Sequence, residues 1–227
     1  MAEIVPELAP GTLLVFDIDN TLVEPVGNIG SDQWYYYLEK AFRRDGLDEA
    51  AADAAAGEAW TKTLGTVKVK PVEALTTALV REQQKRGLKV MALTARGAED
   101  AAATFAQLQA IGVDLAAAAV RKEDLSTEQK GLYSRGVFFV GEGPNKGATL
   151  TAFLKKIGLR PKKIVFVDDK PHHAKNVDAA LTAAGIPSVT FRYGAADAKV
   201  RAFNEVMSEA DTPQSAGLLF HGRAKIP

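Results

Sequence analysis

Two acidic residues, two positions apart, directly follow a short apolar segment near the start of the chain. The segment runs from Thr12 to Phe16, and the acids are Asp17 and Asp19 in the sequence Asp17-Ile18-Asp19-Asn20-Thr21. Carboxylates that face one cleft repel each other, and a bound cation or a shared proton relieves this repulsion. The pattern therefore predicts a site for a hard metal ion, and the alternative is a simple turn rich in Asp and Asn.

Further polar groups end predicted strands or begin predicted helices later in the chain. Thr94 ends an apolar segment, and its hydroxyl and the backbone N–H of Ala95 could bind an anion where a helix begins. Lys146 begins a predicted helix, where an ammonium group and a helix N-terminus can both contact phosphate. Asp168 and Asp169 end another strand, and their oxygen atoms suit Mg²⁺. Taken singly, each group also fits a helix cap or a solvated side chain.

Short apolar segments alternate with helical patterns along the chain. The predicted strands are Thr12 to Phe16, Leu88 to Leu93, Val137 to Val140, Lys163 to Val167 and Ser188 to Phe191. The predicted helices are Val72 to Lys85, Ala98 to Ile111, Lys146 to Ile157 and Ala174 to Ala184. This alternation predicts an α/β fold, a three-layer doubly wound parallel sheet with helices on both faces. Ligands bind beyond the carboxyl ends of such strands, where Asp17, Thr94 and Asp168 would lie together.

The stretch from residue 28 to residue 68 is too long for a simple connection and predicts a small helical insertion after the first strand. Ser31 can cap a helix that carries Trp34 and three tyrosines, and an Ala-rich helix from Asp48 to Trp60 follows. The insertion either covers the site as a small cap or packs at the edge of the core. The aromatic cluster around Trp34 likewise either packs internally or contacts substrate.

Composition limits the classes of function that the chain can have. With 227 residues we expect a single domain over residues 1–227, with an irregular tail over residues 210–227. Lys plus Arg and Asp plus Glu are both 28, so no basic field favours nucleic acid or a membrane as a partner. The absence of Cys excludes thiol nucleophiles, Cys-based zinc sites and disulfides. No signal peptide is visible, so we expect a cytoplasmic protein, or a periplasmic or secreted one if a signal has been removed.

In their order along the chain, these groups resemble the four motifs of the haloacid dehalogenase superfamily. The matching residues are Asp17-Ile18-Asp19-Asn20-Thr21, Thr94, Lys146 and Asp168-Asp169. The resemblance spans about residues 12–191 and implies the Rossmann-like fold of that superfamily. Two further segments are similar to an incompletely characterised bacterial branch whose members are mostly assigned as phosphatases. They are Gly30-Ser31-Asp32-Gln33-Trp34 and Asn145-Lys146-Gly147.

The resemblance implies a Mg²⁺-dependent phosphohydrolase that acts on a small phosphomonoester through an aspartyl-phosphate intermediate. It implies that Asp17 is the nucleophile and that Asp19 is the general acid and base. Mg²⁺ would be held by Asp17, the backbone carbonyl of Asp19 and Asp168, with Asp169 as a direct or indirect partner. The groups that bind phosphoryl oxygens would be Thr94, Ala95 and Lys146. The identity of the substrate and the oligomeric state do not follow.

Two other polar features are expected to lack a catalytic role. Arg96 is interpreted as a solvated side chain at a helix start, and the alternative is a contact with phosphate or substrate. His172 and His173 are interpreted as a polar helix start, because adjacent helical residues point about 100° apart.

Several rival functions share part of this pattern. A phosphomutase or phosphotransferase carries all four motifs and stays an alternative. A dehalogenase usually lacks the second acid of the first motif, so Asp19 argues against it. A receiver-type signalling domain does not space its acids as Asp-x-Asp and is considerably shorter. From a different class, a non-catalytic phosphate-binding or interaction module on the same fold is the remaining alternative.

Overall fold

A central β-sheet organises this computed structural model, which describes residues 2–127, 131–141 and 145–210. The strands are β1 (Thr12–Phe16), β2 (Val23–Pro25), β3 (Val69–Pro71), β4 (Lys89–Thr94), β5 (Leu125–Ser126), β6 (Leu132–Ser134), β7 (Val137–Phe139), β8 (Lys163–Asp168) and β9 (Ser188–Arg192). Within the described residues, seven strands form one sheet in the order β5-β6-β7-β4-β1-β8-β9, and β2 pairs with β3 in a separate ribbon. Strands β7, β4, β1, β8 and β9 are parallel, and β5 and β6 extend the sheet as antiparallel strands.

Helices cover both faces of the sheet. They are α1 (Asp32–Arg44), α2 (Glu49–Leu64), α3 (Ala74–Lys85), α4 (Ala101–Ala110), α5 (Lys146–Lys156), α6 (Pro171–Ala183) and α7 (Asp197–Ala210), with short 3-10 segments at Ala2–Glu7, Ala98–Asp100 and Ala116–Ala118. Alternate residues of β1 point to opposite faces. Leu14 and Phe16 join the core that contains Val80 of α3, whereas Leu13 and Val15 join the core that contains Leu150 of α5. The expected three-layer α/β fold is confirmed.

The parallel register brings three strand ends to one edge of the sheet. Phe16, the last residue of β1, lies opposite Ala92 of β4 and Val167 of β8. All five residues of β1 are buried, which explains why the strand is a continuous apolar segment without alternation. The polar residues that follow these strands therefore lie close together in space.

The helical insertion expected after the first strand is present as α1 and α2. The ribbon of β2 and β3 connects it to the sheet. Ser31 caps α1 as expected, because its hydroxyl accepts a hydrogen bond from the backbone N–H of Trp34 at 3.1 Å. The two helices share a small core to which Tyr35 and Trp60 belong, and Trp34 packs against it. Among the described helices, none combines the length and the apolar character needed to cross a bilayer.

Several predicted boundaries differ from the observed ones. The helix predicted from Ala98 begins with a 3-10 turn, and α4 starts only at Ala101. Helix α6 starts three residues earlier than predicted, at Pro171, whose fixed φ angle suits the first helical position. Residues 211–227 of the expected tail, and the segment Gly143-Pro144 before Lys146, lie outside the described residues.

A glycine allows α5, which carries Lys146 at its start, to approach α6 closely. A Cβ atom at Gly147 would lie 2.3 Å from the backbone oxygen of Asn176 and 2.8 Å from the Cβ of Ala180. These atoms belong to the body of α6 and cannot turn away like the end of a flexible side chain. Only glycine therefore fits the observed distance between the two helices.

Gly147→Ala is expected to lower the free energy of unfolding by about 1–3 kcal/mol, because the two helices must separate to admit the methyl group. Gly57→Ala in α2 is the matched control, since its added Cβ would contact only the Tyr35 ring, at 4.0 Å. The control should gain up to about 1 kcal/mol from its higher helix propensity. Urea denaturation measures both variants. Equal stability of the two would contradict the close contact.

Candidate active site

The first acidic motif forms a tight turn at the carboxyl end of β1. The backbone N–H of Asp17 donates to the carbonyl oxygen of Val167 at 2.8 Å and so continues the parallel ladder. Asn20 has a φ angle of 57°, a left-handed conformation that Asn adopts more readily than most residues. Its side-chain amide donates to Oδ2 of Asp169 at 3.2 Å. The turn thus connects the first motif directly to the fourth.

Lys146 lies at the centre of the buried charges and is only 2% exposed. Its Nζ donates to Oδ1 of Asp17 at 2.6 Å and to Oδ2 of Asp168 at 2.8 Å. Asn145 caps α5 by accepting a hydrogen bond from the backbone N–H of Ala148 at 3.0 Å. Burial disfavours the ammonium form of Lys146, but the two carboxylates outweigh this and raise its pKa. Lys146 therefore carries a full positive charge inside the protein.

Three carboxylates lie close enough to share one cation. Oxygen atoms of Asp17, Asp168 and Asp169 lie within 4.8 Å of one another, and all three residues are buried. Burial raises the pKa of Asp17 well above its ordinary value. Lys146 lowers this pKa, and the neighbouring acids raise it further. Burial raises the pKa of Asp169 to about 7. Burial acts in the same direction on Asp168, but Lys146 and His173 reverse it and lower its pKa to about 2.

This acid cluster fits a divalent metal ion. Oδ1 of Asp169 is buried and has no hydrogen-bond partner in the part of the chain that the structure describes. Burial, and to a lesser degree the neighbouring carboxylates, raise the pKa values of Asp17 and Asp169. One ammonium group close to three carboxylates also leaves negative charge uncompensated when these acids are ionised. Mg²⁺ prefers carboxylate oxygens and would neutralise this charge. The donor atoms present therefore suit the metal that the sequence predicts.

Asp19 directs its carboxylate at Arg96. Nε and Nη2 of Arg96 donate to the two carboxylate oxygens of Asp19, at 2.9 and 2.8 Å. Nη1 donates to the side-chain oxygens of Thr104 and Gln107, both at 2.9 Å. Arg96 is 4% exposed, so its interpretation as a solvated side chain is wrong. The expected metal contact of Asp19, through its backbone carbonyl, stays a prediction.

The structure places Thr94 and Ala95 on the wall of the same cleft as Lys146. This cleft has a volume of about 310 Å³ and contains Asp17, Asp19 and Asp169 in its lining. Thr94 is 1% exposed, and its hydroxyl oxygen accepts a hydrogen bond from the backbone N–H of Arg96 at 3.2 Å. All seven predicted site residues are therefore brought together at one edge of the sheet, although their chemical roles remain predictions. They are Asp17, Asp19, Thr94, Ala95, Lys146, Asp168 and Asp169.

Sequence reasoning missed several residues of the cleft. Asp32 at the start of α1 forms an ion pair with Lys170, whose Nζ lies 4.8 Å from the centre of the Tyr36 ring. Nδ1 of His173 lies 3.3 Å from Oδ1 of Asp168, so this histidine does more than begin a helix. His172 also lines the cleft. Two signals were available: the position of Lys170 and His173 just after the fourth motif, and that of Asp32 in the segment Gly30-Ser31-Asp32-Gln33-Trp34.

A second, larger cavity adjoins the cleft. It has a volume of about 550 Å³ and lies between α2 and the 3-10 turn Ala98–Asp100. Asp19 and Asp32 belong to the lining of both cavities, so the two are adjacent. Tyr35 and Trp60 from the insertion form part of its wall, whereas Trp34 is absent from the described lining of either cavity.

Comparison of the sequence with known proteins assigns the chain to a family. Residues 1–215 match the family model described as "Protein of unknown function (DUF2608)". The chain belongs to this family. Two curated relatives of this DUF2608 protein share the name "Putative outer membrane protein" and come from Chlamydia trachomatis serovar D and Chlamydia muridarum. They are 23% and 24% identical over 182 residues, which cover 80% of this chain and 69% of each relative.

Solved structures with a similar fold include members of the haloacid dehalogenase family. One is an enzyme from Bacteroides thetaiotaomicron, solved with magnesium and inorganic phosphate, which is 13% identical with a TM-score of 0.44. The match covers 79% of this chain and 93% of that one. Another is a haloacid dehalogenase-like hydrolase from Streptococcus pneumoniae, 13% identical with a TM-score of 0.47 over 87% and 97% of the two chains. The likeness is distant, and no assignment of activity rests on it.

Proposed function

We propose that this DUF2608 protein is a Mg²⁺-dependent phosphohydrolase that hydrolyses a small phosphomonoester through a phosphoryl group carried on Asp17. One observation carries the proposal. Buried Lys146 bridges Asp17 and Asp168, and beside them Asp169 has a buried oxygen without a hydrogen-bond partner among the described residues. A structural ion pair needs one carboxylate for one ammonium, whereas this cluster has the excess of oxygen donors that a metal-assisted reaction of phosphate requires.

Asp17 is the proposed nucleophile. Asp17 lines the cleft and is 5% exposed, so little water competes for its carboxylate. One carboxylate oxygen attacks phosphorus, the bond from phosphorus to the leaving oxygen breaks, and an aspartyl-phosphate forms. Thr94, Ala95 and Lys146 line the cleft. In this proposal the Thr94 hydroxyl, the Ala95 backbone N–H and the Lys146 ammonium contact the phosphoryl oxygens. These contacts would stabilise the negative charge of the transition state.

Asp19 is the proposed general acid and base. In the first step it protonates the leaving oxygen, and in the second it takes a proton from the water that attacks phosphorus. Inorganic phosphate then leaves, and Asp17 regains its carboxylate. The two hydrogen bonds from Arg96 orient the Asp19 carboxylate between the cleft and the larger cavity. Arg96 is thus a positioning residue for Asp19.

Mg²⁺ would be held by the side chains of Asp17 and Asp168 and by the backbone carbonyl of Asp19, with Asp169 as a ligand directly or through water. When bound, the ion neutralises charge on the transferring phosphoryl group. Asp168 already accepts hydrogen bonds from Lys146 and from the backbone N–H of Lys170. Asp169 has the buried oxygen without a partner in the described chain. This difference favours Asp169 as a residue that contacts the metal directly.

The insertion acts in this proposal as a small cap. Asp32 and Tyr36 of α1 line the cleft, and Tyr35 of α1 and Trp60 of α2 line the larger cavity. Gln107 of α4 donates to the backbone oxygen of Leu64 at 2.8 Å, which ties the end of α2 to the main domain. The insertion would therefore select the substrate from a fixed position above the site.

Metal removal tests the proposal. Dialysis against EDTA is expected to abolish phosphate release from p-nitrophenyl phosphate, and MgCl₂ is expected to restore it, because uncompensated carboxylates repel an anionic substrate. Release of one phosphate for each p-nitrophenol formed, without transfer of phosphate to an added alcohol, would distinguish hydrolysis from phosphotransfer. Undiminished turnover in excess EDTA would contradict the metal-dependent mechanism.

Binding of the metal can be measured without activity. Mg²⁺ should raise the melting temperature of the wild-type protein, because it binds the folded state alone. Asp169→Asn should lose much of this increase, whereas the control Asp124→Asn, at an exposed position on the far edge of the sheet, should keep it.

A further inference from the structure

The larger cavity lies on the side of the site where a leaving group would be. Thr94 and Lys146, the proposed ligands of the phosphoryl group, line the cleft but are not among the described residues around the larger cavity. Asp19, which would protonate the leaving oxygen, lines both. A substrate with its phosphoryl group beside Lys146 would therefore extend past Asp19 into the larger cavity. A volume of about 550 Å³ is typical of a site for a small molecule.

The lining of this cavity carries an excess of negative charge. Some of its acids have cationic partners: Asp19 pairs with Arg96, and Glu58 with Lys62 at 2.6 Å. Three other acids of the lining form no ion pair with lysine or arginine in the described part of the chain. They are Asp53, Glu99 and Asp100.

Asp100 contributes a hydrogen-bonded carboxylate to the lining of this cavity. It is 4% exposed, and it accepts hydrogen bonds from the Thr61 hydroxyl at 2.8 Å and from the Gly97 backbone N–H at 3.1 Å. Both donors are neutral, and the nearby guanidinium of Arg96 is already bonded to Asp19. Burial raises the pKa of Asp100, as expected for a carboxylate that lacks a close counter-charge. Asp53 is similar in that its partner is the neutral hydroxyl of Tyr35.

Aromatic side chains complete the wall. Tyr35 and Trp60 line the cavity, and the guanidinium of Arg96 lies 5.3 Å from the centre of the Trp60 ring. Trp60 is 8% exposed, and its Nε1 has no hydrogen-bond partner among the described residues. Aromatic rings next to carboxylates form a surface that suits an organic cation, whose methylene groups pack on the rings while its charge meets the acids.

We propose that the larger cavity binds the leaving group of the substrate and that this group carries a positively charged amine, so the substrate class is the phosphomonoesters of amino alcohols. The proposal rests on the proposed function of the same site. Such a substrate has opposite charges at its two ends. Its phosphoryl group meets Lys146 and the metal, and its ammonium meets Asp53, Glu99 and Asp100. A leaving group with a carboxylate would instead be repelled by these acids.

A matched set of substrates tests this assignment. Aminohexyl phosphate, hexyl phosphate and carboxypentyl phosphate have similar lengths and differ in the charge at the far end. We expect kcat/KM for the amine to exceed that for the neutral ester about tenfold, mainly through KM, and the carboxylate to be the poorest substrate. The preference for the amine should decrease as salt is added, because ions screen the attraction.

Variants connect the preference to the named acids. Asp100→Asn and Asp53→Asn should each reduce the ratio of kcat/KM for the amine to that for hexyl phosphate, while Asp124→Asn should keep the wild-type ratio. The ratio is measured within one variant, so a partial loss of folded protein cancels. Asp53 is exposed, so Asp53→Asn also covers the case in which Asp100→Asn does not fold.

The outcomes separate this inference from the proposed function. Hydrolysis of hexyl phosphate as fast as, or faster than, hydrolysis of the amine would overturn the inference and leave the phosphohydrolase in place. An amine preference that survives in both variants would also overturn it. Failure to hydrolyse any of the three esters or p-nitrophenyl phosphate would remove the proposed function, and the inference with it.

Discussion

Asp17→Asn is expected to reduce phosphate release by roughly 10⁵-fold or more, because the amide cannot attack phosphorus and no aspartyl-phosphate can form. The substitution preserves shape, and the amide oxygen can still accept the hydrogen bond from Lys146 that Oδ1 accepts at 2.6 Å. It also removes one charge from a cluster in which burial and neighbouring acids raise the pKa of Asp17. The folded protein should therefore be at least as stable as the wild type. Thermal unfolding checks this point.

Rapid-quench mass spectrometry would detect the intermediate directly. In the wild type, a phosphoryl adduct should appear on the peptide that contains Asp17 and decay as phosphate is released. The adduct should be missing in Asp17→Asn and present in Asp124→Asn. Wild-type turnover by Asp17→Asn, or an adduct on another residue, would show that the nucleophile is assigned wrongly.

Asp19→Asn is expected to slow turnover by about 10²–10⁴-fold, the usual contribution of a positioned proton donor and acceptor. The loss should depend on the leaving group. Hexanol needs a proton as it leaves, whereas p-nitrophenolate needs little, so the first step should suffer far more with hexyl phosphate. With p-nitrophenyl phosphate the adduct on Asp17 should still form and then persist, because water lacks its base.

The geometry around Asp19 adds a condition to this experiment. Arg96 is buried and donates two hydrogen bonds to the Asp19 carboxylate, so Asp19→Asn leaves a guanidinium with reduced compensation. Rates should be measured at a temperature at which circular dichroism shows the variant folded. An equal loss with both leaving groups, without accumulation of the adduct, would contradict the role of Asp19 in proton transfer.

The sequence alone was sufficient for the five parallel strands of the central sheet. The predicted bounds of β1, Thr12 and Phe16, agree with the structure, because a strand covered on both faces must be apolar at every position. The alternation of such strands with helices implies parallel pairing, and parallel pairing brings the strand ends to one edge. The placement of Asp17, Thr94 and Asp168 at one site follows from this topology, without any knowledge of side-chain contacts.

Short strands and long-range ion pairs could not be obtained in this way. Strands β5 and β6 contain two and three residues, too few for a periodic pattern to be recognised. Arg96 and Asp19 are separated by 77 positions, and nothing near either residue indicates its partner. The interpretation of Arg96 as solvated failed for this reason. Whether an arginine faces water or a carboxylate depends on which element packs over it.

The difference between the features that the sequence predicted and those that only the structure revealed has a physical cause. Strand and helix periodicity is a local property, since each residue is buried or exposed according to its position within one element. It determined the α/β layers and the strand ends, whereas the candidate nucleophile, acid and phosphate ligands followed from the resemblance to the haloacid dehalogenase motifs. The pairing of Arg96 with Asp19, the buried oxygen of Asp169 and the acidic cavity beside Trp60 arise where separate elements meet. Only the tertiary structure decided these features, because contacts between distant elements leave no repeating pattern in the chain.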